Sequence, residues 1–357
     1  MDRIGLLRQL TEAFGISGFE GQVAKLMEEH LKKFAVVTRD RLGSVIARKT
    51  GRSEQPKVMF AAHMDEIGFL VRTLTKDGFI KFLPIGGWWT GNLLAQKVRV
   101  MNKKGDKIIG VIGHKAIHEM KEDEKTKLPD IESLYIDVGA TSSFNVKERL
   151  RIRPGDPIVP DAKFEAMANS DLLLAKAWDD RMGCALLIEL LNNIAAVEHP
   201  NTIYLTATVQ EEVGLRGART SAHTIAPDIA FALDVGLSRD TPGYEEESEE
   251  KLGNGVSILI YDRTMIPHTG LKDFVIELAE INNIPYHLTT LKGGYDTGII
   301  HLNQSGVPSL ALGIPTRYIH AHYGIINVND YENLLNLITL IVKNLDEEAL
   351  NNIQKGA

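Results

Sequence analysis

The sequence predicts an α/β protein in which a small β domain is inserted into one strand-and-helix domain. Three observations predict it. Apolar runs of strand length alternate with amphipathic helical stretches over residues 1–66 and again over 163–357. Residues 67–162 instead show period-two alternation broken by turn residues, with no long amphipathic helix. Arg153-Pro154-Gly155-Asp156-Pro157 then marks the exit from that stretch.

The first segment is helical. Ser17-Gly-Phe-Glu20 has the form of a capping box that opens a helix through VAKLMEEHLKKF. SVIARK follows as a strand, and KVMFAA has the short, unbroken apolar character of a strand buried on both faces. In the inserted stretch, IGFLVRTL and FIKFLPI flank Lys76-Asp77-Gly78, and KVRVMN and KIIGVIG flank Lys103-Lys104-Gly105-Asp106, which are two hairpin signals. HEMKEDEKTKLPD is a charged, solvated loop. Beyond residue 163, LLLAKAW, TIYLTATV, DIAFALDV, GVSILIY and SLALGIP are strand-like. They alternate with helices over MGCALLIELLNNI and over LKDFVIELAEINN, where Leu271, Phe274, Val275, Leu278 and Ile281 share a face. A last helix, capped by Asn329 or Asp330, buries Leu334, Leu335, Ile338, Ile341, Val342 and Leu345. This alternation implies a sheet covered on both faces, with parallel or mixed strand order left open. YEEESEEK, at 244–251, reads as a solvated acidic loop.

Bulk properties narrow the function. The chain has 357 residues, enough for about two domains. Net charge is −7 with no basic stripe, which argues against nucleic acid or an anionic membrane as partner. No apolar stretch of about 18 residues could span a bilayer, and the N-terminus lacks the apolar core of a secretory signal. The single cysteine, Cys184, lies in an apolar helix, excludes an intramolecular disulfide and fits a reducing cytoplasm.

Chemistry gathers where the apolar runs stop. KVMFAA is followed by His63-Met64-Asp65-Glu66, TIYLTATV by Gln210-Glu211-Glu212, and DIAFAL by Asp234. SLALGIPTRYI is followed by His320-Ala321-His322, and LLLAKAW by Asp179-Asp180. Ligand sites of open α/β sheets form at the carboxyl ends of strands. Singly, each residue has an ordinary explanation: an aspartate caps a helix, a histidine completes a hydrogen-bond network, paired glutamates lie in a solvated loop. Together they form a mixed nitrogen and oxygen donor set that suits Zn, Co or Mn. The excess of carboxylates over histidines suggests two metals about 3.5–4 Å apart that share a bridging carboxylate. In His63-x-Asp65 the two side chains point the same way, so the aspartate can orient the imidazole. Two adjacent glutamates would repel near a buried strand end unless cations offset them. One of them can bind metal while the other takes a proton from water, and spacing alone does not assign which.

HMDEIGF, AKAWDDRMG, VQEEVGLRGA, ALDVG and TRYIHAH, in this order, resemble the tetrahedral (TET-type) aminopeptidases. This co-catalytic metallopeptidase family includes glutamyl and deblocking aminopeptidases, and the resemblance covers essentially the whole chain. It implies a zinc-peptidase-like sheet covered by helices, an inserted PDZ-like β domain, and two divalent cations, zinc first with cobalt or manganese as alternatives. It implies His63, Asp179, Glu212, Asp234 and His320 as metal ligands, Asp179 as the bridge, Glu211 as general base and Asp65 as the residue that orients His63. His322, two residues on, is the alternative to His320. The implied activity is removal of N-terminal residues from short peptides, inside a twelve-subunit tetrahedral homo-oligomer. Gly293-Gly294-Tyr295-Asp296-Thr297-Gly298 resembles a family loop lining the site, where Tyr295 replaces a small residue and narrows the pocket. The rival readings are a related zinc carboxypeptidase or deacylase, with Arg216, Arg219 or Arg317 holding a substrate carboxylate, a glycosidase using paired carboxylates, and a non-catalytic binding protein.

Overall fold

A computed structural model describes residues 2–244 and 248–356; the middle of the acidic loop, 245–247, lies outside the described residues. Eight strands form one mixed sheet: Val36–Arg39 (β1), Val45–Thr50 (β2), Lys57–His63 (β3), Thr202–Thr208 (β4), Ile229–Leu237 (β5), Val256–Tyr261 (β6), Tyr286–Thr290 (β7) and Ser309–Thr316 (β8). Their spatial order is β1-β2-β4-β3-β5-β8-β6-β7. The four central strands β4, β3, β5 and β8 run parallel, and antiparallel β2 and β6 flank them. The central strands are buried almost throughout and mostly apolar because both their faces are covered, and Phe60 of β3 stacks on Phe231 of β5 with ring centroids 5.1 Å apart.

Helices Arg3–Glu12 (α1), Gly21–Leu31 (α2), Trp178–Asn193 (α3), Thr269–Ile281 (α5) and Val328–Asn344 (α6) bury their apolar faces in the main core. Arg216–Ile225 (α4) packs on the opposite face against Met59, Ala61 and Ala230. Helix α3 is buried from Asp180 to Leu191; its apolar run, residues 182–188, lies in the core, and its charged residues Asp180, Arg181 and Glu189 are buried against partners. Gly68–Leu74, Ile80–Ile85, Lys97–Met101, Lys107–Gly113, Tyr135–Asp137 and Pro157–Pro160 close into a small barrel with its own core around Phe69, Val98, Ile112 and Ile136. Both anticipated hairpins lie in it. Among the described residues no helix is long and apolar enough to cross a membrane.

Several local expectations change. Ser17 does not cap α2; its hydroxyl donates to Asp65, and Glu20 instead accepts the backbone N–H groups of Gly18 and Gln210. LLLA forms a strand, Leu172–Ala175, but in a separate three-stranded sheet with Glu165–Ala166 and Gly324–Asn327. The cap of α6 is Asn327, whose side chain accepts from Asn329 N–H, while Asp330 is buried and accepts from Gly253 and Gly255. A further helix, Glu347–Lys355 (α7), follows it, capped by Asp346. Ile281 lies in the last turn of α5 and is exposed, because α5 buries Leu271, Val275 and Ala279 instead.

Candidate metal centre

The site assembles at the carboxyl ends of the parallel strands. His63 ends β3, Glu211 and Glu212 follow β4, Asp234 lies near the end of β5, and His320 is in the loop after β8. Asp179 is set at the start of α3 by neighbours on both sides. Before it, the buried Trp178 indole N–H donates to the Gly324 carbonyl at 3.2 Å. After it, Asp180 caps the helix by accepting Gly183 N–H and ties it to β3 by accepting His63 N–H. The peptide between Asp179 and Asp180 is cis. Asp180 groups with His63 and Asp234 within metal-binding reach, but both its oxygens already accept backbone N–H groups.

Asp179 faces two histidines at once. One oxygen lies 2.9 Å from His63 Nε2, and the other 3.4 Å from His320 Nε2. Around His63 Nε2 stand Asp234 at 3.8 Å and Glu211 at 4.0 Å, while Glu212 lies 3.5 Å from His320 Nε2. His63, Asp179 and Glu212 also group within metal-binding reach. The backbone fixes both tautomers. His63 Nδ1 lies 3.0 Å from the Asp65 carbonyl and His320 Nδ1 lies 2.9 Å from the Gly87 carbonyl. A carbonyl can only accept, so each Nδ1 carries a proton and each Nε2 is turned toward carboxylate oxygens. A bare lone pair there would repel them; either a second proton or a shared cation must lie between.

The electrostatics follow from this crowding. Burial lowers the proton affinity of His63, but hydrogen bonds to Asp179 and Asp65 and the charges of Glu211 and Asp234 outweigh it and raise the pKa well above its ordinary value. Burial likewise lowers that of His320, but Asp179 and Glu212 bring it up to about 9. Burial raises Asp179, yet the two histidines hold it below the usual carboxylate range. Burial and the charge of Asp179 push Glu212 up to about 8 and Asp234 well above normal, and burial with the charges of Glu212 and Asp234 does the same to Glu211. The cluster sets four carboxyl groups, Asp179, Glu211, Glu212 and Asp234, against two histidines, and the buried Glu212 Oε1 has no hydrogen-bond donor. This donor set therefore fits divalent cations.

Asp65 does more than its spacing from His63 implies. Its carboxylate is 3.5 Å from His63 Nδ1, farther than its own carbonyl. It accepts from Ser17 Oγ at 2.6 Å and from the backbone N–H groups of both Glu211 and Glu212, so it fixes the turn that carries the paired glutamates. His322 is outside the cluster: it is buried against Trp88 without a hydrogen-bond partner. Arg317 is held by Asp240 in a bidentate pair with both contacts at 2.7 Å, Arg216 reaches Gln210, and Arg219 lines a different cavity. Asp296 is buried and accepts from Thr208 Oγ1 at 2.6 Å.

Sequence reasoning gave Ser17 only a helix-capping role and Asp180 only a place beside Asp179, and it missed the barrel's Gly86-Gly87. The last of these was signalled by a glycine pair at the end of IKFLPI. A Cβ on Gly87 would stand 3.0 Å from His320 Nδ1, so a side chain here would press on the ring that its carbonyl holds. Also missed was the buried cluster of Glu66, Lys176 and Arg181 beneath the site.

Similar proteins share this arrangement of chain and sheet. A TET aminopeptidase from the marine sediment archaeon Thaumarchaeota archaeon SCGC AB-539-E09 superposes with a TM-score of 0.95 and 41% identity, over 98% of each chain. The Pyrococcus horikoshii TET1 peptidase, which can assemble into a tetrahedron or a large octahedral shell, superposes with a TM-score of 0.87 and 31% identity, over 96% of this chain and 100% of that one. The glutamyl aminopeptidase of Lactococcus lactis is 33% identical over 357 residues, 99% of each chain. Fold and relatives together define the class, a peptide hydrolase. More narrowly, the chain belongs to the M42 glutamyl aminopeptidase family, which matches residues 43–337.

Proposed function

We propose that the chain is a metal-dependent aminopeptidase that removes N-terminal residues from short peptides. His63, Asp179 and Asp234 would hold one divalent cation, and Asp179, Glu212 and His320 the second. The observation that carries this reading is Asp179, whose two oxygens face two different histidines. Zinc suits the donors best, with cobalt or manganese as alternatives. When bound, such a pair of cations supplies Lewis acidity and a water of low pKa at neutral pH. Glu211 stands beside His63 without the tie to His320 that Glu212 has, which suits a general base. It takes a proton from the attacking water and delivers it to the leaving amine nitrogen. Asp65 holds Glu211 in place through its backbone N–H.

The carboxypeptidase reading needs a free arginine at the cleft. Arg317 is paired with Asp240, and neither Arg216 nor Arg219 lines the cleft, which favours the aminopeptidase. A glycosidase would leave the two histidines without a role. We read residues 67–162 as an inserted PDZ-like domain, a tetrahedral homododecamer as the assembly, by analogy with the Pyrococcus relative, and the cytoplasm as its location.

The test is Glu211→Gln. It should retain metal and lose about 10²–10⁴-fold in kcat. Normal turnover by a metal-replete Glu211→Gln protein would refute the assignment of the base.

A further inference from the structure

The cleft beside the metal centre has a volume of about 400 Å³ and two unlike halves. One is the cluster of carboxylates and histidines. The other is formed by Val235, Leu237, Leu291, Gly293, Tyr295 and Ile319. Tyr295 is fixed there: its hydroxyl donates to the Val235 carbonyl at 2.9 Å, and its ring packs on Ala232, Leu259 and Met265. Its one polar atom is therefore spent on the backbone and is not offered to a ligand.

Among the described residues that line the cleft there is no lysine or arginine. Three cations within a few residues of the lining do not line it themselves. Arg317 is bidentate to Asp240, Lys176 is buried against Glu66, and Lys292 is exposed and does not line the cleft. The carboxylates in the lining all belong to the proposed metal centre, so no separate acid faces the apolar half.

These observations extend the aminopeptidase reading, and rest on it, to the substrate. The first residue of a peptide must place its carbonyl among the donors, and no residue precedes it. Its side chain is left with the apolar wall. We propose that this wall selects an uncharged aliphatic N-terminal residue, of the leucine or methionine class, over glutamate or lysine. Leu237, Leu291 and Ile319 are the residues that set the preference. A charged side chain would lose its hydration there without gaining a partner. The specificity named for the Lactococcus relative is thus not expected of this chain.

The test is a panel of leucyl-, methionyl-, glutamyl- and lysyl-anilides on metal-loaded protein, with calorimetric binding of the four free amino acids as a readout independent of turnover. Leucine and methionine should lead glutamate and lysine by at least about tenfold in kcat/KM, and bind more tightly. Leu237→Arg should shift the glutamate-to-leucine ratio by about tenfold or more toward glutamate, with Leu291→Lys as the second variant if the first does not fold. Lys292→Ala should leave that ratio unchanged. A wild-type preference for glutamate or lysine, or a selective loss of glutamyl turnover in Lys292→Ala, overturns the inference and leaves the aminopeptidase standing. Failure to hydrolyse any of the four substrates with metal bound sinks the aminopeptidase reading itself.

Discussion

Lys176 offers a sharp test of how the site is underpinned. Its ammonium donates to both oxygens of Glu66, at 2.5 and 2.6 Å, and to the Ala13 carbonyl at 3.4 Å. Arg181, fully buried, reaches the same carboxylate at 3.4 Å and donates to the carbonyls of Met64, Leu10, Ala13 and Gly15. Two cations thus share one anion away from water. Burial first, and repulsion from Arg181 as well, outweigh the pull of Glu66 and bring the lysine down to about 8 from 10.5. With the folded pKa below the unfolded one, the unfolded chain binds more protons between these values, so stability rises with pH across that window. The full rise is about 3 kcal/mol, complete only above about pH 10.5. Deprotonated, Lys176 leaves Glu66 balanced by Arg181, so the cluster passes from a net positive charge to neutrality. The assay is urea unfolding of wild type and Lys176→Met between about pH 7 and pH 10, at one protein concentration because the proposed assembly would shift the midpoint. Wild type should gain stability over this range relative to the variant. Parallel profiles would mean that Lys176 is hydrated in the folded state and that the buried cluster carries no such strain.

Other consequences can be checked separately. Ser17→Ala removes a buried hydrogen bond to the Asp65 carboxylate and should cost about 1.5–3 kcal/mol in denaturant unfolding; an unchanged midpoint would mean that water replaces the hydroxyl. Gly87→Ala crowds His320 and should weaken metal retention about 10–100-fold, read by metal analysis after dialysis against a competing chelator. Unaltered retention would mean that the partly exposed His320 ring yields to the added methyl group. Asp240 is raised by burial but lowered more by Arg317, to about 2 from 3.8. Its contribution is complete above about pH 3.8 and is lost as pH falls through about 2, so acid unfolding of Asp240→Asn should lack that segment of the wild-type curve. A variant curve of the same shape would show that the pair contributes nothing.

The strand ends were legible because a doubly covered parallel strand has to be apolar, so the first acid or histidine after it stands out. His63, Glu211 and Asp234 could be found that way, since a short run of backbone fixes where each points. What lay hidden was the company each residue keeps across the fold. Ser17 has the local pattern of a helix cap, and nothing near it in the chain shows that Asp65 will arrive within 2.6 Å. Asp65 has the spacing of a residue that orients His63. The strand ends at His63, however, and beyond it the chain turns so that the Asp65 carbonyl takes the imidazole and its carboxylate takes the glutamate turn. Gly87 belongs to the barrel, far from His320 in sequence, and its importance is an absence of atoms, which no pattern of side chains can display. The adjacent glutamates show the same division. Their repulsion signals a site from sequence alone. Their separate directions, one toward His63 and one toward His320, depend on a turn held by an aspartate almost 150 residues away. Local sequence can therefore reveal that charge has been concentrated, but the geometry that makes it useful is written in contacts between segments.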